Sequence, residues 1–321
     1  MGVALVVTVR DEASSIFDLL AAIDGQTLAP NEIVIVDGGS SDGTMHELER
    51  WSRSRPTATI VSAPGASIPA GRNIAISKTN ESVIAVTDAG CIPDRDWLYH
   101  LVAALDDPAV EVAMGFYRAA PRSRFERLVD CLNLPDVEEV DPEKFMPSSR
   151  SIAFRRYVWE QVGGYPEWLP VGEDQWFDHR IVEAQYRRRF VPEAVVRWRL
   201  RPDLRSFVRQ YYRYAWGDGA SGMYPRRHAL RFGTYGAAVA SVVVARRHPR
   251  LLAGPAAAAL WWLRPSYARA ARRLPASERV TAVAGIPALT AVMDVAKMAG
   301  WLAGRRHRNP NPPEPGAVTR T

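Results

Sequence analysis

Cysteine is scarce, with Cys91 and Cys131 the only two in 321 residues, which excludes a disulfide framework. Residues 1–8 contain no charged and then apolar leader, so the expectation is a chain kept in a reducing cytosol. No G-x-G-x-x-G follows the first apolar run, which argues against a dinucleotide-dependent oxidoreductase. The usual nucleic-acid-binding signatures are missing too, and no nucleic-acid partner is expected despite a net charge of +6. Long uninterrupted apolar runs are also lacking. Residues 232–245 and 251–263 fall short of the ~20 that a spanning helix needs, and residues 280–303 include Pro287, Asp294 and Lys297.

What is present is unevenly placed. Acids outnumber bases before residue 118, whereas Arg187-Arg188-Arg189, Arg226-Arg227, Arg246-Arg247, Arg272-Arg273 and Arg305-Arg306 all lie in the second half. Basic pairs alternating with apolar runs suit a membrane surface better than a nucleic-acid groove. A crossing by the first or third run would place RRHPR or RRHR outside, against the positive-inside tendency. The expectation is therefore helices lying in or dipping into the inner leaflet, with Trp261, Trp262 and Trp301 at the interface.

Over the first hundred residues apolar strand patterns alternate with helical ones. VALVVTV, EIVIVD, ATIVSA and SVIAVTD read as buried strands. Between and after them run a helix carrying Ile16, Leu19, Leu20 and Ile23, a second begun at Ser41 or Asp42, a short one with Pro69 near its first turn, and DRDWLYHLVAAL. This order predicts an α/β fold: a mostly parallel sheet with helices on both faces and a ligand crevice beyond the carboxyl ends of the strands. Arg10-Asp11-Glu12, Asp37 and Thr87-Asp88 would meet at that edge. Their carboxylates would repel one another unless a cation, a metal or hydrogen-bond donors shared the site. After Tyr117 the pattern becomes irregular, then gives a strand, a short helix, a Gly-Gly turn, a longer helix and an aromatic, basic helix expected to stop at Gly217 and Gly219.

VDGGSSDGT (36–44), GRN (71–73), VTDAGC (86–91) and VGEDQWF (171–177), in that order, resemble the inverting family 2 glycosyltransferases of GT-A fold. The likeness, to the membrane-associated bacterial type, covers about residues 3–220 and rests on four segments in series, each weak alone. It implies transfer of a sugar from a nucleotide-diphospho-sugar donor to an acceptor hydroxyl with inversion, in cell-envelope glycan or glycolipid synthesis. Glycan, lipid or polyprenyl-linked acceptors would follow, at the cytoplasmic face of the inner membrane. By resemblance Asp37 would read the donor base, and Gly39 and Ser40 would form the turn beside it. Thr8 and Glu12 would belong to the donor segment, although Thr8 and Asp11 depart from the family's proline and asparagine. Arg72 would lie near the nucleotide or its diphosphate, and a planar guanidinium suits phosphate.

The family's usual Asp-x-Asp is represented here by Asp88 alone, because Gly90 stands in the second place. Asp88 would keep a ribose or metal role with Mg²⁺ or Mn²⁺, phosphates and waters filling most of the coordination sphere. Asp94, Glu173 or His228 are candidates for a further ligand, and Cys91 reads as a buried packing residue. Asp174, by family position, would be the general base that takes the acceptor proton. Glu173 is assigned to the acceptor or to supporting groups. QYYRY (210–214) resembles the Gln-x-x-Arg-Trp segment of membrane-bound polysaccharide synthases, which makes Gln210 and Arg213 acceptor or leaving-group residues; an ordinary packing helix is the competing reading. The expected organisation is a catalytic domain over 1–225, divided at 117/118 into nucleotide-sugar and acceptor halves, a membrane-associating helical region over 226–305 and a disordered tail over 306–321. A nucleotidyltransferase of similar fold, or a membrane adaptor that kept the fold without catalysis, are the alternatives.

Overall fold

The computed structural model describes residues 1–246 and 249–309. The expected tail from 310 on, and Arg247, lie outside the described residues. The chain forms two compact units, one built from Met1–Ala120 with Val137–Arg199 and the other from Pro121–Asp136 with the chain from Leu200 on.

The first unit runs β1 (Val3–Val9), α1 (Ile16–Asp24), β2 (Glu32–Asp37), α2 (Thr44–Ser52), β3 (Ala58–Ser62), α3 (Ile68–Ser77) and β4 (Val83–Asp88). A short β5 (Cys91–Pro93), α4 (Trp97–Leu105) and β6 (Val112–Ala119) follow. After α5 (Arg124–Asn133), which belongs to the second unit, come β7 (Ile152–Arg155), α6 (Arg156–Val162), α7 (Glu173–Glu183) and β8 (Arg188–Trp198). The sheet order is β3-β2-β1-β4-β7-β6-β8-β5. The strands from β3 to β4 are parallel, as expected; beyond them β7 is antiparallel to β4 and β6, β8 parallel to β6, and β5 antiparallel to β8.

Two cores follow from the alternation of strand side chains. Val3, Leu5, Val7 and Val9 pack with α1, with Leu48 of α2 and with Trp97, Leu98 and Leu101 of α4. Ala4 and Val6 face the other way, toward Ala75 and Ile76 of α3, Val158 and Trp159 of α6, and Phe177 and Ile181 of α7. Helices therefore cover both faces, and Cys91 is a buried packing residue. Register then brings strand ends together. Val9 pairs with Asp37 and Thr8 with Asp88, so β1, β2 and β4 end together. Because β7 runs antiparallel with Ile152 opposite Val86, the residues just before β7 are delivered to that same edge.

Local chemistry shifts one helix start. Neither Ser41 nor Asp42 caps α2; the capping position is Gly43, at φ 95°. The Asp42 carboxylate instead accepts from Thr44 N (3.1 Å), Thr44 Oγ1 (2.6 Å) and Ala13 N (2.9 Å), tying the β1 loop to the start of α2.

The second unit adds α8 (Leu204–Ser221), α9 (Pro225–Ala245), α10 (Ala253–Arg273) and α11 (Ala276–Arg305) to α5. The Asp203 side chain caps α8 by accepting from Ser206 N at 2.8 Å. The helix does not stop at Gly217 or Gly219 but runs to Gly222, at φ 77°. Close packing on α11 gives the reason at Gly219. A Cβ there would strike the Trp301 carbonyl, one on Gly300 the Tyr212 carbonyl, and one on Gly304 the Trp216 carbonyl. Small residues four apart let two backbones touch, as in tightly packed helix pairs generally. Leu263, Ala270, Leu274, Ala282 and Ile286 close over Cys131 of α5. Among the described residues α11 is the one helix long and apolar enough to cross a membrane, by length and composition, with 28% of its apolar window buried.

Candidate active site

Arg72 is the centre of the polar edge. The residue is 2% exposed, and its guanidinium reaches two carboxylates, with Nη2 donating to Asp88 Oδ1 at 2.7 Å and Nη1 to Glu173 Oε1 at 2.8 Å. It lies over the Tyr165 ring, 5.1 Å from the centroid. Burial acts against its charge, but Asp88 and Glu173 outweigh that and hold it firmly protonated. Here is the cation that the converging acids require. The sequence order explains the geometry: α3 carries Arg72 behind β2, β4 ends on Asp88, and α7 begins with Glu173.

The two acids of α7 differ. Glu173 is buried, and burial pushes its carboxyl up to about 7, with Arg72 opposing the rise and Asp174 adding to it. The 2.8 Å contact to Arg72 favours its ionised form. Asp174 is only partly buried. Its Oδ1 accepts from Gln175 N at 2.9 Å, and Oδ2 lies 3.5 Å from Ser148 Oγ. Both acids occupy the first turn of the helix, where the dipole favours negative charge. Asp178, one turn further, is fully buried with neither carboxylate oxygen hydrogen-bonded, and burial followed by the Asp174 charge raises it well above the usual carboxylate range.

Asp37 is buried and accepts from the backbone N–H of Gly39 (3.2 Å) and of Ser40 (3.0 Å), and from Ser40 Oγ. Gly39 needs to be glycine: its φ is 93°, and a Cβ would come within 3.1 Å of Pro64. Ser40 also accepts from Asp11 N at 2.9 Å, and Ser41 N donates to Asp11 Oδ1 at 2.9 Å, so the β1 and β2 loops are tied. Glu12 N donates to Thr44 Oγ1 at 2.8 Å, while its carboxylate accepts from Ser15. Thr8, Glu12, Asp37, Gly39, Ser40, Arg72, Asp88, Glu173 and Asp174 thus all belong to the first unit, with Arg72 joining Asp88 to Glu173 directly. Asn73 of the same GRN segment is a packing residue: it donates to Tyr165 O at 2.8 Å and accepts from Tyr165 N at 2.9 Å and Trp159 Nε1 at 3.1 Å.

Four expected residues lie elsewhere. Gln210 and Arg213 are on α8 in the second unit, where Gln210 Nε2 donates to Tyr214 OH at 2.7 Å and Arg213 is exposed. His228, also in the second unit, has Nε2 at 2.8 Å from Asp218 Oδ2 and Nδ1 at 3.1 Å from Arg231 Nη1. Asp94 is partly buried and paired with Arg197 at 2.8 Å. No group of three or more His, Cys, Asp or Glu side chains among the described residues is placed to hold a metal ion.

Sequence reasoning missed the SSRS segment, residues 148–151. Arg150 Nε is 4.0 Å from Asp88 Oδ2, its Nη1 donates to Ser148 Oγ at 2.8 Å, and its guanidinium lies over Trp198 at 4.3 Å. Thr87 Oγ1 donates to the Arg150 carbonyl at 2.8 Å, which fixes the segment beside the β4 end. The available signal was four polar residues immediately before a buried strand; pairing that strand antiparallel to β4 brings them to the ligand edge.

The Glycosyl transferase family 2 model matches residues 4–160, and the Glycosyl transferase family group 2 model matches residues 84–300. The chain is 26% identical over 214 residues to the O-antigen chain rhamnosyltransferase RfbN of Salmonella typhimurium, covering 61% of this chain and 66% of that one. It is 25% identical over 199 residues to glycosyltransferase AglE of Haloferax volcanii, covering 60% and 65%. It therefore spans just under two thirds of these relatives' lengths. Among solved structures, the mannosyltransferase PcManGT from Pyrobaculum calidifontis, in complex with GDP-Man and Mn²⁺, aligns over 95% of this chain and 85% of its own at a TM-score of 0.54 and 22% identity, a likeness of fold. With the second family model spanning more than half of its length, the chain belongs to glycosyltransferase family 2.

Proposed function

We propose that the protein is an inverting glycosyltransferase that moves a sugar from a nucleotide-diphospho-sugar to an acceptor hydroxyl in envelope glycan or glycolipid synthesis. The observation that carries this reading is the Arg72 bridge between Asp88 and Glu173, with Asp174 beside it, partly exposed and without a cationic partner among the described residues. In the displacement, the acceptor oxygen bonds to the anomeric carbon while the bond from that carbon to the diphosphate oxygen breaks. Asp174 takes the hydroxyl proton, and the nucleoside diphosphate leaves with the electron pair. Asp37, Gly39 and Ser40 hold the base and ribose, Thr8 and Glu12 line the donor segment, and Arg72 and Arg150 provide positive charge for the diphosphate.

The residues at the β4 end fit a hard divalent cation. Asp88 Oδ1 is occupied by Arg72, while Oδ2 lies 4.0 Å from Arg150 Nε, and a Cβ on Gly90 would meet nothing within 4 Å among the described residues. One carboxylate with diphosphate and water oxygens suffices for Mg²⁺ or Mn²⁺. Such an ion, when bound, would neutralise charge on the departing diphosphate.

Residues 1–225 are proposed as the catalytic domain, divided at 117/118, with Gln210 and Arg213 serving the acceptor or leaving group. Residues 226–305 are proposed to hold the protein at the cytoplasmic face of the inner membrane, where a lipid or polyprenyl-linked glycan would be met. Exposed Trp261 (69%) and Trp262 (68%) of α10, with Val239, Val242 and Val243 of α9, support an interfacial rather than a buried role. The test is a panel of nucleotide sugars and lipid-linked acceptors with purified full chain. Asp174→Asn should keep donor binding in calorimetry and lower turnover by roughly 10²-fold or more. Wild-type turnover in that variant, or no transfer with any donor, would sink the reading in favour of a non-catalytic adaptor.

A further inference from the structure

Charge in the second unit does not balance where α8, α9 and α11 meet. α8 contributes Tyr211 and Asp218, α9 contributes Arg227, His228, Arg231 and Tyr235, and α11 contributes Asp294, Lys297 and Trp301. Both acids are already engaged. Asp218 Oδ2 is 2.8 Å from His228 Nε2; Asp294 Oδ1 is 2.7 Å from Arg231 Nε, and its Oδ2 accepts from Tyr235 OH at 3.2 Å. Arg231 Nη1 lies 3.1 Å from His228 Nδ1, so the imidazole links Arg231 to Asp218. Its ring is stacked on Trp301 at 5.3 Å, so it is held in place.

Among the described residues neither Arg227 nor Lys297 has an ion-paired carboxylate of its own, and Lys297 feels Asp294 and Asp218 only as acids already engaged by Arg231 and His228. The Lys297 ammonium has the Tyr211 ring face at 4.8 Å, and Arg227 the Tyr224 ring at 5.9 Å. Burial pushes Lys297 down to about 8, and Arg227 and Arg231 push the same way. A partly buried ammonium beside two guanidinium groups is costly unless an anion joins it. The fixed acids are too few to do so.

We propose that the junction of α8, α9 and α11 is a binding site for a phosphate group, with Lys297 and Arg227 as its direct ligands and Arg231 behind them. Arg227 is exposed and Lys297 is partly buried. The neighbouring apolar faces of α9 suit the tail of a phosphorylated amphiphile, and free phosphate offers the same oxygens. The proposal is independent of the sugar-transfer chemistry and can hold or fail without it.

The test uses full chain with two probes, inorganic pyrophosphate and vesicles. Pyrophosphate should raise the melting temperature of the wild type and slow reductive methylation of Lys297 in the unmutated chain, read by mass spectrometry. Phosphatidylglycerol vesicles should bind more tightly than phosphatidylcholine vesicles, and Lys297→Met with Arg227→Met should lose about fivefold affinity per charge for the former only. Lys297→Arg should retain binding. If the vesicle preference falls, the phosphate comes from a lipid; if only the pyrophosphate effects fall, it comes from a soluble ligand. Equal losses in Arg250→Met with Arg264→Met, which removes two exposed charges elsewhere, or no protection of Lys297 by either probe, would overturn the site. The methylation readout decides the question even if the double variant fails to fold.

Discussion

In the first unit one buried guanidinium, Arg72, serves two carboxylates, Asp88 and Glu173; in the second, two carboxylates, Asp218 and Asp294, are outnumbered by Arg227, Arg231 and Lys297. The difference follows from architecture. Sheet register brings several strand ends to one edge, so acids converge and need a shared cation. Helices present one residue per turn, so partners meet pairwise and a cation can be left over. Removing Arg72 should therefore cost more than removing any single cation of the second unit. Arg72→Met leaves two acids behind, one of them buried, and is expected to destabilise the first unit by about 3–5 kcal/mol. Arg231→Met frees one partly exposed acid and should cost less. Urea unfolding of both variants checks the order, and equal losses would erase the contrast.

Packing sharpens the comparison. The second unit relies on backbone contact between α8 and α11 at Gly219, Gly300 and Gly304. Gly300→Val places a branched side chain against the Tyr212 carbonyl and should cost about 1–3 kcal/mol. Amide exchange should accelerate in α8 and α11 while β1 and β4 stay protected. Uniform acceleration across both units would mean that they do not unfold separately.

Gly90 gives the complementary case, a position with room to spare. Since a Cβ there meets nothing within 4 Å, Gly90→Asp should change stability by no more than about 0.5 kcal/mol. With a nucleoside diphosphate bound, it should tighten Mn²⁺ binding roughly tenfold, or about 1.4 kcal/mol. Electron paramagnetic resonance of free Mn²⁺ measures this. An unchanged affinity would show that the β4 end does not face the cation.

Most of the first unit is legible in the sequence, because strand burial has a period of two and its end points carry the chemistry. β1, β2 and β4 begin and end close to the expected residues, and Asp37 and Asp88 are at the ligand edge. The antiparallel insertion of β7 was not legible, and with it Ser148 and Arg150 were missed, because pairing direction depends on partners far away in sequence. Glycine misled in α8: local rules read Gly217 and Gly219 as stops, whereas Gly219 answers to the backbone of α11, some eighty residues on. The charges of α11 looked unfavourable for an apolar helix until Asp294 was found paired with Arg231. Helix faces, unlike strand ends, do not announce which neighbour they meet.

A pH-dependent effect is expected at Asp178, the buried acid with no hydrogen-bond partner on either oxygen. Burial, and then the Asp174 charge, raises its pKa well above the usual value; Glu173 is raised to about 7, again chiefly by burial. A carboxyl whose folded pKa exceeds its unfolded value binds more protons in the native state, so stability is greatest at low pH and falls as pH rises between the two values. Each such group contributes a slope of up to about 1.4 kcal/mol per pH unit within its window. For Glu173 the window runs from about 4.5 to about 7; for Asp178 it opens near the ordinary Asp value of about 3.9 and extends upward. Asp178→Asn removes one of the two contributions without changing side-chain size. The variant should lose less stability than the wild type as pH rises from 5 to 7, with the gap between the two curves widening toward neutral pH. Thermal unfolding across that range reads the gap directly. Parallel curves would mean that Asp178 is already charged in the folded protein, and that the charges of Arg72 and Arg188 offset its burial.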